Sequence, residues 1–294
     1  MHSKANTRPP VARPAAQASG QAGQKARHAG IYALLVVVAA VCLLPFYSMM
    51  VAATYDSNAI ASRLLLLPGG ALADNYTRLI GIINIWWGFL HSLFIAVAST
   101  SLSLYFSALA GFGFSKYPFK GKGPLFAFVL VTMMIPGQLG IIGFFNLMST
   151  MGLLNTYWPL IVPSIANAFG IFFFKQICDA ALPTELLEAA RIDGAGELRI
   201  FHWLALPLLM PSLATLGIFT FIGSWNSFLT PLIIIFDNEK QTLPVMVAMT
   251  QGQFSTDYGA QYVGVLISVV PILIVFSLAS RRIISGVTVG ALKG

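Results

Sequence analysis

The stretch ELLEAARIDGAGELRIFHWLALPLL, residues 185–209, concentrates charge in a chain that otherwise carries little of it. Its charged side chains are Glu185, Glu188, Arg191, Asp193, Glu197 and Arg199. Apolar segments lie on both sides of the stretch, and Pro207 leads into the second of them. This arrangement indicates a polar connection between two buried or membrane-embedded segments.

The composition indicates an integral membrane protein. Of the 294 residues, 57% are hydrophobic and 9% are charged, whereas a soluble domain carries about 25% charged residues. A water-soluble fold of this composition would not cover its own surface with polar groups. Two isolated cysteines and four scattered histidines form neither a disulfide framework nor a metal-binding constellation. We therefore expect no metal site and no cofactor.

Six apolar segments are long enough to cross a bilayer, which needs roughly 20 apolar residues per helix. They are residues 31–53, 85–114, 124–148, 157–174, 208–236 and 261–280. None contains Asp, Glu, Lys or Arg, and Pro136-Gly137 predicts a kink in the third. The predicted fold is an all-α membrane protein with six transmembrane helices over residues 29–294. Residues 1–28, rich in Ala, Gln, Pro, Arg and Lys, are expected to form a disordered cytoplasmic tail.

The distribution of Lys and Arg predicts the orientation. Fourteen of the seventeen basic residues fall on one side of the six segments. Cytoplasmic loops carry such an excess, so both termini are expected in the cytoplasm. The stretch 185–209 then lies in the cytoplasm, and the loops 54–84 and 237–260 lie outside. The net charge of +7 is explained by topology and does not indicate nucleic-acid binding.

Helix signals predict an elbow within the charged stretch. Thr184 is a plausible N-cap, Glu188 and Arg191 are spaced as an ion pair, and Gly194 suits a left-handed helix end. The second helix has an apolar stripe at Leu198, Phe201, Ala205 and Leu208. Such an elbow either docks a protein partner or lies on the lipid surface. Lipid-surface helices are usually rich in Lys and Arg, whereas four of the six charges here are acidic.

Several motifs resemble a known family. Glu188-Ala189-Ala190, Gly194 and the Leu204-x-Leu206-Pro207 element resemble the EAA loop of binding-protein-dependent ABC importer permeases. The strings EAARIDGAG, GSWNSF, TLPV and the terminus GVTVGALKG are similar to the carbohydrate-uptake, maltose-type branch, in its second permease subunit. The resemblance implies a type I importer permease fold in the bacterial cytoplasmic membrane. Two positions depart from the family pattern: Leu204 replaces an Ile, and Ser227 stands where an acid is common.

The resemblance also implies partners and site residues. It implies a second homologous permease, dimeric cytoplasmic ATPase subunits and an extracytoplasmic solute-binding protein, with membrane lipid and no nucleic acid. ATPase coupling is implied within a loop at residues 176–207, by Glu188, Ala189, Ala190, Asp193, Gly194, Leu204 and Pro207. A tail contact with the ATPase is implied for Gly290, Lys293 and Gly294. The outer loop 237–260 is implied to enter the binding protein through Gln251, Gly252 and Gln253.

Polar residues within the apolar segments have two interpretations. These residues are Gln138, Asn146, Asn167 and Asn226, with Trp225 beside the last. Amides offer both donors and acceptors, so they are candidates for a translocation path for a hydroxyl-rich solute, with Trp225 stacking on a sugar face. Polar side chains at membrane depth also serve as hydrogen-bonding contacts between helices. The residues alone leave both interpretations open.

Other classes of membrane protein fit the sequence less well than an ABC permease does. An ion-coupled secondary transporter often has intramembrane carboxylates or histidines, and this chain has only His91, near the start of its second segment. A channel is disfavoured because no selectivity-filter motif is present. Among ABC permeases, those for polyamines, amino acids or phosphate are the nearest alternatives. The chain lacks a GxxxxGK[ST] phosphate loop, so it is not expected to be an enzyme, and a separate subunit would hydrolyse ATP.

Overall fold

The computed structural model describes residues 16–62, 64–251 and 256–291, with side chains for 27–62, 64–251 and 256–277. Over these residues the regular structure is helical, apart from one isolated β-bridge between Gln251 and Thr256. The first helices are α1 (Ala16–Ala52), α2 (Ser57–Ser62), α3 (Leu72–Ile82), α4 (Ile85–Lys116), α5 (Lys122–Met133), α6 (Ile141–Thr150) and α7 (Trp158–Ile161). The remaining helices are α8 (Ala168–Ala181), α9 (Thr184–Ile192), α10 (Glu197–Ile200), α11 (Leu206–Trp225), α12 (Leu229–Ile234), α13 (Leu243–Met249) and α14 (Tyr258–Ala291).

The number of membrane-spanning helices agrees with the sequence when one broken helix is counted as a span. In the described residues, five helices are long and apolar enough to cross a membrane, or six with the bent pair Lys122–Met133 and Gly137–Thr150. That pair bends by 90°. The expected kink at Pro136 is therefore a break, because Ile135 precedes a proline and proline disfavours the helical conformation in the residue before it.

Helix α1 begins earlier than expected. The tail at residues 1–28 was expected to be disordered, but the backbone is helical from Ala16. This part of the prediction is corrected, and residues 1–15 lie outside the described residues. The segment is rich in Ala and Gln, which favour helix. It is also continuous with an apolar helix, so no separate nucleation step is needed.

Helix α4 is the centre of the molecule, with α8, α11 and α13 packed around it. Glycine brings α4 and α8 together. A Cβ added at Gly111 would lie 2.7 Å from the Lys175 backbone nitrogen, whereas one at Gly113 would meet nothing within 4 Å. By contrast, the side chains of residues 31–48 on α1 are all exposed. Helix α1 therefore lies at the periphery, against α14.

Two apolar cores lie at opposite ends of α4. The core at the Lys116 end joins α4 and α8 to the charged stretch, through Phe112, Phe174, Leu187 and Phe201 among others. The core at the Ile85 end joins α3, α4, α11, α13 and α14. The first core thus packs the charged stretch against the helices that cross the membrane, and the second core does the same for α13.

The loop expected at residues 237–260 is largely folded into the core at the Ile85 end. Leu243 and Val245 of α13 are completely buried, and the Leu243 backbone N–H donates to Ser92 Oγ at 2.8 Å. The prediction of a projecting loop over the whole range is corrected. Apolar side chains spaced along α13 are buried against α4, which leaves residues 250–257 as the connection between α13 and α14.

Candidate functional site

The charged stretch forms a helix–glycine–helix elbow at the Lys116 end of α4. Helix α9 ends at Ile192 with Asp193 as its C-cap, and Gly194 has φ +80°, in the left-handed region where glycine is favoured. The Gly194 N–H donates to Arg191 O and the Ala195 N–H donates to Ala190 O, each at 3.0 Å. This is the Schellman pattern. It confirms Gly194 as the turn that was predicted from the sequence.

Two local predictions for the elbow are wrong. Pro183, with extended backbone angles, holds the N-cap position in place of Thr184, which is already helical. Arg191 pairs with Glu197 at 2.9 Å rather than with Glu188. The Tyr117 hydroxyl also donates to Glu197, so this ion pair links both arms of the elbow to the end of α4. Glu188 is left without a hydrogen bond or ion pair among the described residues.

One side of the elbow is buried and the other is exposed. Leu187, Ile200, Phe201 and Ala205 pack in the core at the Lys116 end. The exposed side combines apolar and acidic groups with Arg191 and Arg199. Its apolar and acidic members are Leu186, Glu188, Ala189, Ile192, Asp193, Leu198 and Trp203. Ile192 and Trp203 are 86% and 81% exposed. A surface of this composition suits a protein partner better than an anionic lipid surface.

The apolar stripe after Gly194 differs from its prediction. Phe201 and Ala205 are buried as expected, but Leu198 and Leu208 are exposed and Leu209 is buried instead. A π-helical turn spans Phe201–Ala205. It precedes Pro207, which lacks a backbone N–H, and its extra residue per turn shifts the following helix face from position 208 to 209. Leu204 is half-buried and Pro207 is exposed at this junction.

A second feature is a cavity of about 900 Å³ between α4, α6, α11, α12 and the irregular connection before α8. Its polar lining consists of Ser92, Ser99, Ser103, Gln138, Ser164, Asn167, Thr220, Ser224, Ser227, Thr230 and Thr242. Apolar residues such as Ile95, Phe144 and Phe228 complete the walls. A concave site with apolar walls and several uncharged hydrogen-bonding groups is typical of a small-molecule site.

Much of one cavity wall is a serine stripe that the sequence analysis did not identify. Ser92, Ser99, Ser103 and Ser107 are buried on one face of α4, and the first three line the cavity. Their spacing of seven, four and four residues is the period of one helix face. That spacing was visible in the sequence, although serine is too common in membrane helices for the pattern to stand out.

The structure places two of the five candidate translocation residues at the cavity. Gln138 and Asn167 line it, and Asn167 also connects helices, because its Nδ2 donates to Ser103 Oγ at 2.9 Å. Asn146 and Asn226 are exposed away from the cavity lining. The Trp225 ring is buried among apolar side chains, 1% exposed, with Nε1 donating to Ser268 O at 3.0 Å. The stacking role suggested for Trp225 is therefore corrected to a packing role.

The remaining expected contacts belong to the connection between α13 and α14 and to the C-terminal segment. Gln251 is described, with its backbone N–H donating to Ala248 O at 3.1 Å, whereas Gly252 and Gln253 lie outside the described residues. Gly290 is in α14, and Lys293 and Gly294 lie outside the described residues. Beside the connection that carries Gln251, Asp257 is held by Arg78 at 2.6 Å. This ion pair anchors the start of α14 to α3.

The fold has long apolar helices around a polar cavity and an exposed elbow at one end. This combination is typical of a membrane transport subunit. Residues 103–285 match the sequence model of one protein family. That family is described as the inner membrane component of binding-protein-dependent transport systems. The chain belongs to this family, a group of multi-pass inner-membrane permeases. The matched residues include α4 from Ser103 onward, most of the cavity lining and the whole elbow.

Characterised relatives cover nearly the whole chain. The arabinooligosaccharides transport permease AraQ of Halalkalibacterium halodurans is 34% identical over 87% of this chain and 93% of its own length. The lactose transport permease LacG of Rhizobium radiobacter is 32% identical over 89% and 95%. The sn-glycerol-3-phosphate transport permease UgpE of Escherichia coli is 31% identical over 87% and 94%.

A solved structure confirms the fold. A chain of a bacterial ABC transporter involved in the import of the acidic polysaccharide alginate superposes with a TM-score of 0.77. The match covers 88% of this chain and 97% of that one, at 23% sequence identity. The type I permease fold expected from the EAA-like stretch is thereby confirmed.

Proposed function

We propose that this chain is one of two permease subunits in an ATP-driven, binding-protein-dependent importer of sugars or oligosaccharides. Sugar relatives support the solute class, since the arabinooligosaccharide and lactose permeases cover most of the chain. In this proposal a separate ATPase dimer hydrolyses ATP. A second homologous permease completes the path through the membrane, and both termini face the cytoplasm.

The observation that carries the proposal is the two-sided elbow. Its exposed side presents Glu188, Asp193 and the 86% exposed Ile192, which suits a cleft with apolar walls and basic groups. Its buried side packs against α4 and α8. Movement of a docked ATPase would therefore pass to the helices that surround the cavity. ATP-driven closure of the ATPase would shift the population of the permease toward the outward-facing state.

Further contacts are proposed on the strength of the family resemblance. Gly290, Lys293 and Gly294 are proposed to meet the ATPase, and Gln251, Gly252 and Gln253 to meet the binding protein. Gln138 and Asn167 are proposed as part of the translocation path on a different ground, because their carboxamides both donate and accept hydrogen bonds and both residues line the cavity. The anchoring of Asp257 by Arg78 supports the binding-protein contact, because it holds the connection at residues 250–257 to the rest of the fold.

The substitution Glu188→Lys tests the coupling role. Glu188 is exposed and unpaired among the described residues, so its replacement should leave folding and membrane insertion unchanged. A lysine facing basic partner groups should reduce co-purification of the ATPase by about tenfold or more. Glu239→Lys, the same charge change at the Ile85 end, is the matched control and should leave co-purification unchanged. Undiminished recovery of ATPase with Glu188→Lys would rule out this elbow as the docking site.

A further inference from the structure

The lining of the cavity is entirely uncharged. Among the described residues that form its walls there is no Asp, Glu, Lys, Arg or His. Its polar groups are hydroxyls and carboxamides, which both donate and accept hydrogen bonds. Ser227 belongs to this set, at the position where the family pattern often has an acid. The described lining therefore offers many hydrogen-bonding groups but no charged group that would pair with an ionic solute.

Several of these groups have unused hydrogen-bonding capacity. The Thr242 side chain is 4% exposed, and its buried Oγ1 has no partner among the described residues. Ser92 Oγ accepts from the Leu243 N–H at 2.8 Å, which leaves its own hydrogen free to donate. A buried hydroxyl without a partner costs free energy. A bound molecule that carries hydroxyl groups would remove this cost.

The apolar part of the lining suits the same kind of molecule. Phe144 and Phe228 both contribute to the walls. A ring sugar has apolar C–H faces as well as a rim of hydroxyls, so it fits a site that combines aromatic rings with uncharged polar groups. An anionic sugar would instead have to lose its hydration without meeting a cation among the described lining residues, which disfavours its binding.

We propose that this cavity is a solute site in this subunit that accepts neutral, hydroxyl-rich solutes and rejects anionic ones. The inference rests on the proposed function and adds the charge class of the cargo. The charge of the solute differs among similar proteins. One relative is a permease for sn-glycerol-3-phosphate, and the solved structure with a similar fold comes from a transporter for the acidic polysaccharide alginate. The residues that set the preference are Ser103, Ser227 and Thr242, with Gln138 and Asn167.

The first test is protection of a cysteine placed in the cavity. The assembled importer would carry Ser227→Cys in a Cys42→Ser background, in nanodiscs and without the binding protein, whose own specificity would otherwise intervene. Lactose and arabinotriose should slow modification of Cys at position 227 by a small thiosulfonate reagent, whereas digalacturonate and sn-glycerol 3-phosphate should not. Asn238→Cys, exposed outside the cavity, is the matched control and should react at one rate in all four solutes.

The second test compares a charge with its neutral isostere. Import into proteoliposomes would be measured for Ser227→Asp and Ser227→Asn, with the binding protein and a neutral sugar that it binds. The two variants differ in charge and little in size. The Asp variant should import at least about tenfold more slowly than the Asn variant, because a carboxylate at this half-buried position has no cation among the described lining residues to pair with.

The outcomes separate this inference from the proposed function. Equal protection by neutral and anionic sugars, no protection by any of them, or equal import by the two variants would overturn the inference. Each of those results leaves intact an importer that couples ATP hydrolysis to sugar uptake. Failure of the wild-type assembly to import any sugar on addition of ATP and binding protein would overturn the proposed function itself.

Discussion

Asp257 shows how much one side chain organises at the Ile85 end. Its carboxylate accepts from Arg78 Nε at 2.6 Å, from Ser57 Oγ at 3.2 Å and from the Ala260 N–H at 3.0 Å. Arg78 also donates to Asn75, whose Nδ2 donates to the backbone oxygen of Ala53 at 2.7 Å. Four separate segments of the chain thus meet at one ion pair, beside the connection proposed to contact the binding protein.

This network predicts a dependence of stability on pH. The hydrogen bond from Arg78 lowers the pKa of Asp257 below its ordinary value. A carboxyl group with a lowered pKa stabilises the fold fully above its unfolded pKa, ordinarily about 3.9, and loses that contribution as pH falls through the folded value. Wild-type thermal stability should therefore fall below about pH 4, and Asp257→Asn should flatten that part of the curve, as measured by circular dichroism in detergent.

A double-mutant cycle with Arg78→Ala and Asp257→Asn measures the same pair directly. The side chains are 43% and 24% exposed, so solvent screening limits the coupling to about 0.5–1 kcal/mol. The exposed pair Lys240 and Asp237, at 3.3 Å, is the control and should show coupling near zero. Equal coupling for the two pairs would mean that Asp257 has no special organising role.

At the scale of the elements, the approach of α4 to α8 depends on one of two neighbouring glycines. Gly111 and Gly113 both lack a side chain that would hold a neighbouring helix away from α4. The structure selects Gly111, because a Cβ there would lie 2.7 Å from Phe174 Cβ and from the Lys175 backbone nitrogen. Gly113 faces open space. The sequence shows two small residues but not which one faces the neighbouring helix.

The two alanine variants provide a matched test. Gly111→Ala should destabilise the protein by about 1–3 kcal/mol, because backbone atoms of α8 must move apart. Gly113→Ala should change stability by less than about 1 kcal/mol, in the stabilising direction, through helix propensity. Thermal unfolding in one detergent would compare them. A loss of stability with Gly113→Ala as large as that with Gly111→Ala would contradict the packing described for α4 and α8.

The length of the apolar segments located the spans, whereas chain breaks and buried connections depended on tertiary contacts. Helix α4 ends at Lys116, close to the expected residue 114, whereas α11 ends at Trp225, well before the expected residue 236. The segment 237–260 looked like a polar loop because it begins with the charged residues Asp237, Glu239 and Lys240. Its helix α13 is buried, since its apolar face meets Gly88 and Ser92 on α4, where Gly88 leaves room for Met246.

For the whole molecule, the distribution of Lys and Arg predicts that the two ends of α4 face opposite sides of the membrane. The end at Lys116 carries the elbow and should face the cytoplasm; the end at Ile85 should face outward. In a Cys42→Ser background, Asn238→Cys should react with a membrane-impermeant maleimide in intact cells. Lys120→Cys should react only after the membrane is opened. Both sites are exposed, so labelling of Lys120→Cys in intact cells would invert the topology and remove the elbow from the cytoplasm.

The sequence by itself determined the class of the protein, the number of spans and the turn at Gly194. These depend on local properties: apolar run length, loop charge and the freedom of glycine at positive φ. The tertiary structure decided which polar groups share a cavity, how Arg191 and Arg78 choose their partners and which face of α11 is buried. Those outcomes depend on distances between residues far apart in the chain, and on the π-turn before Pro207, so the residue order alone leaves them open.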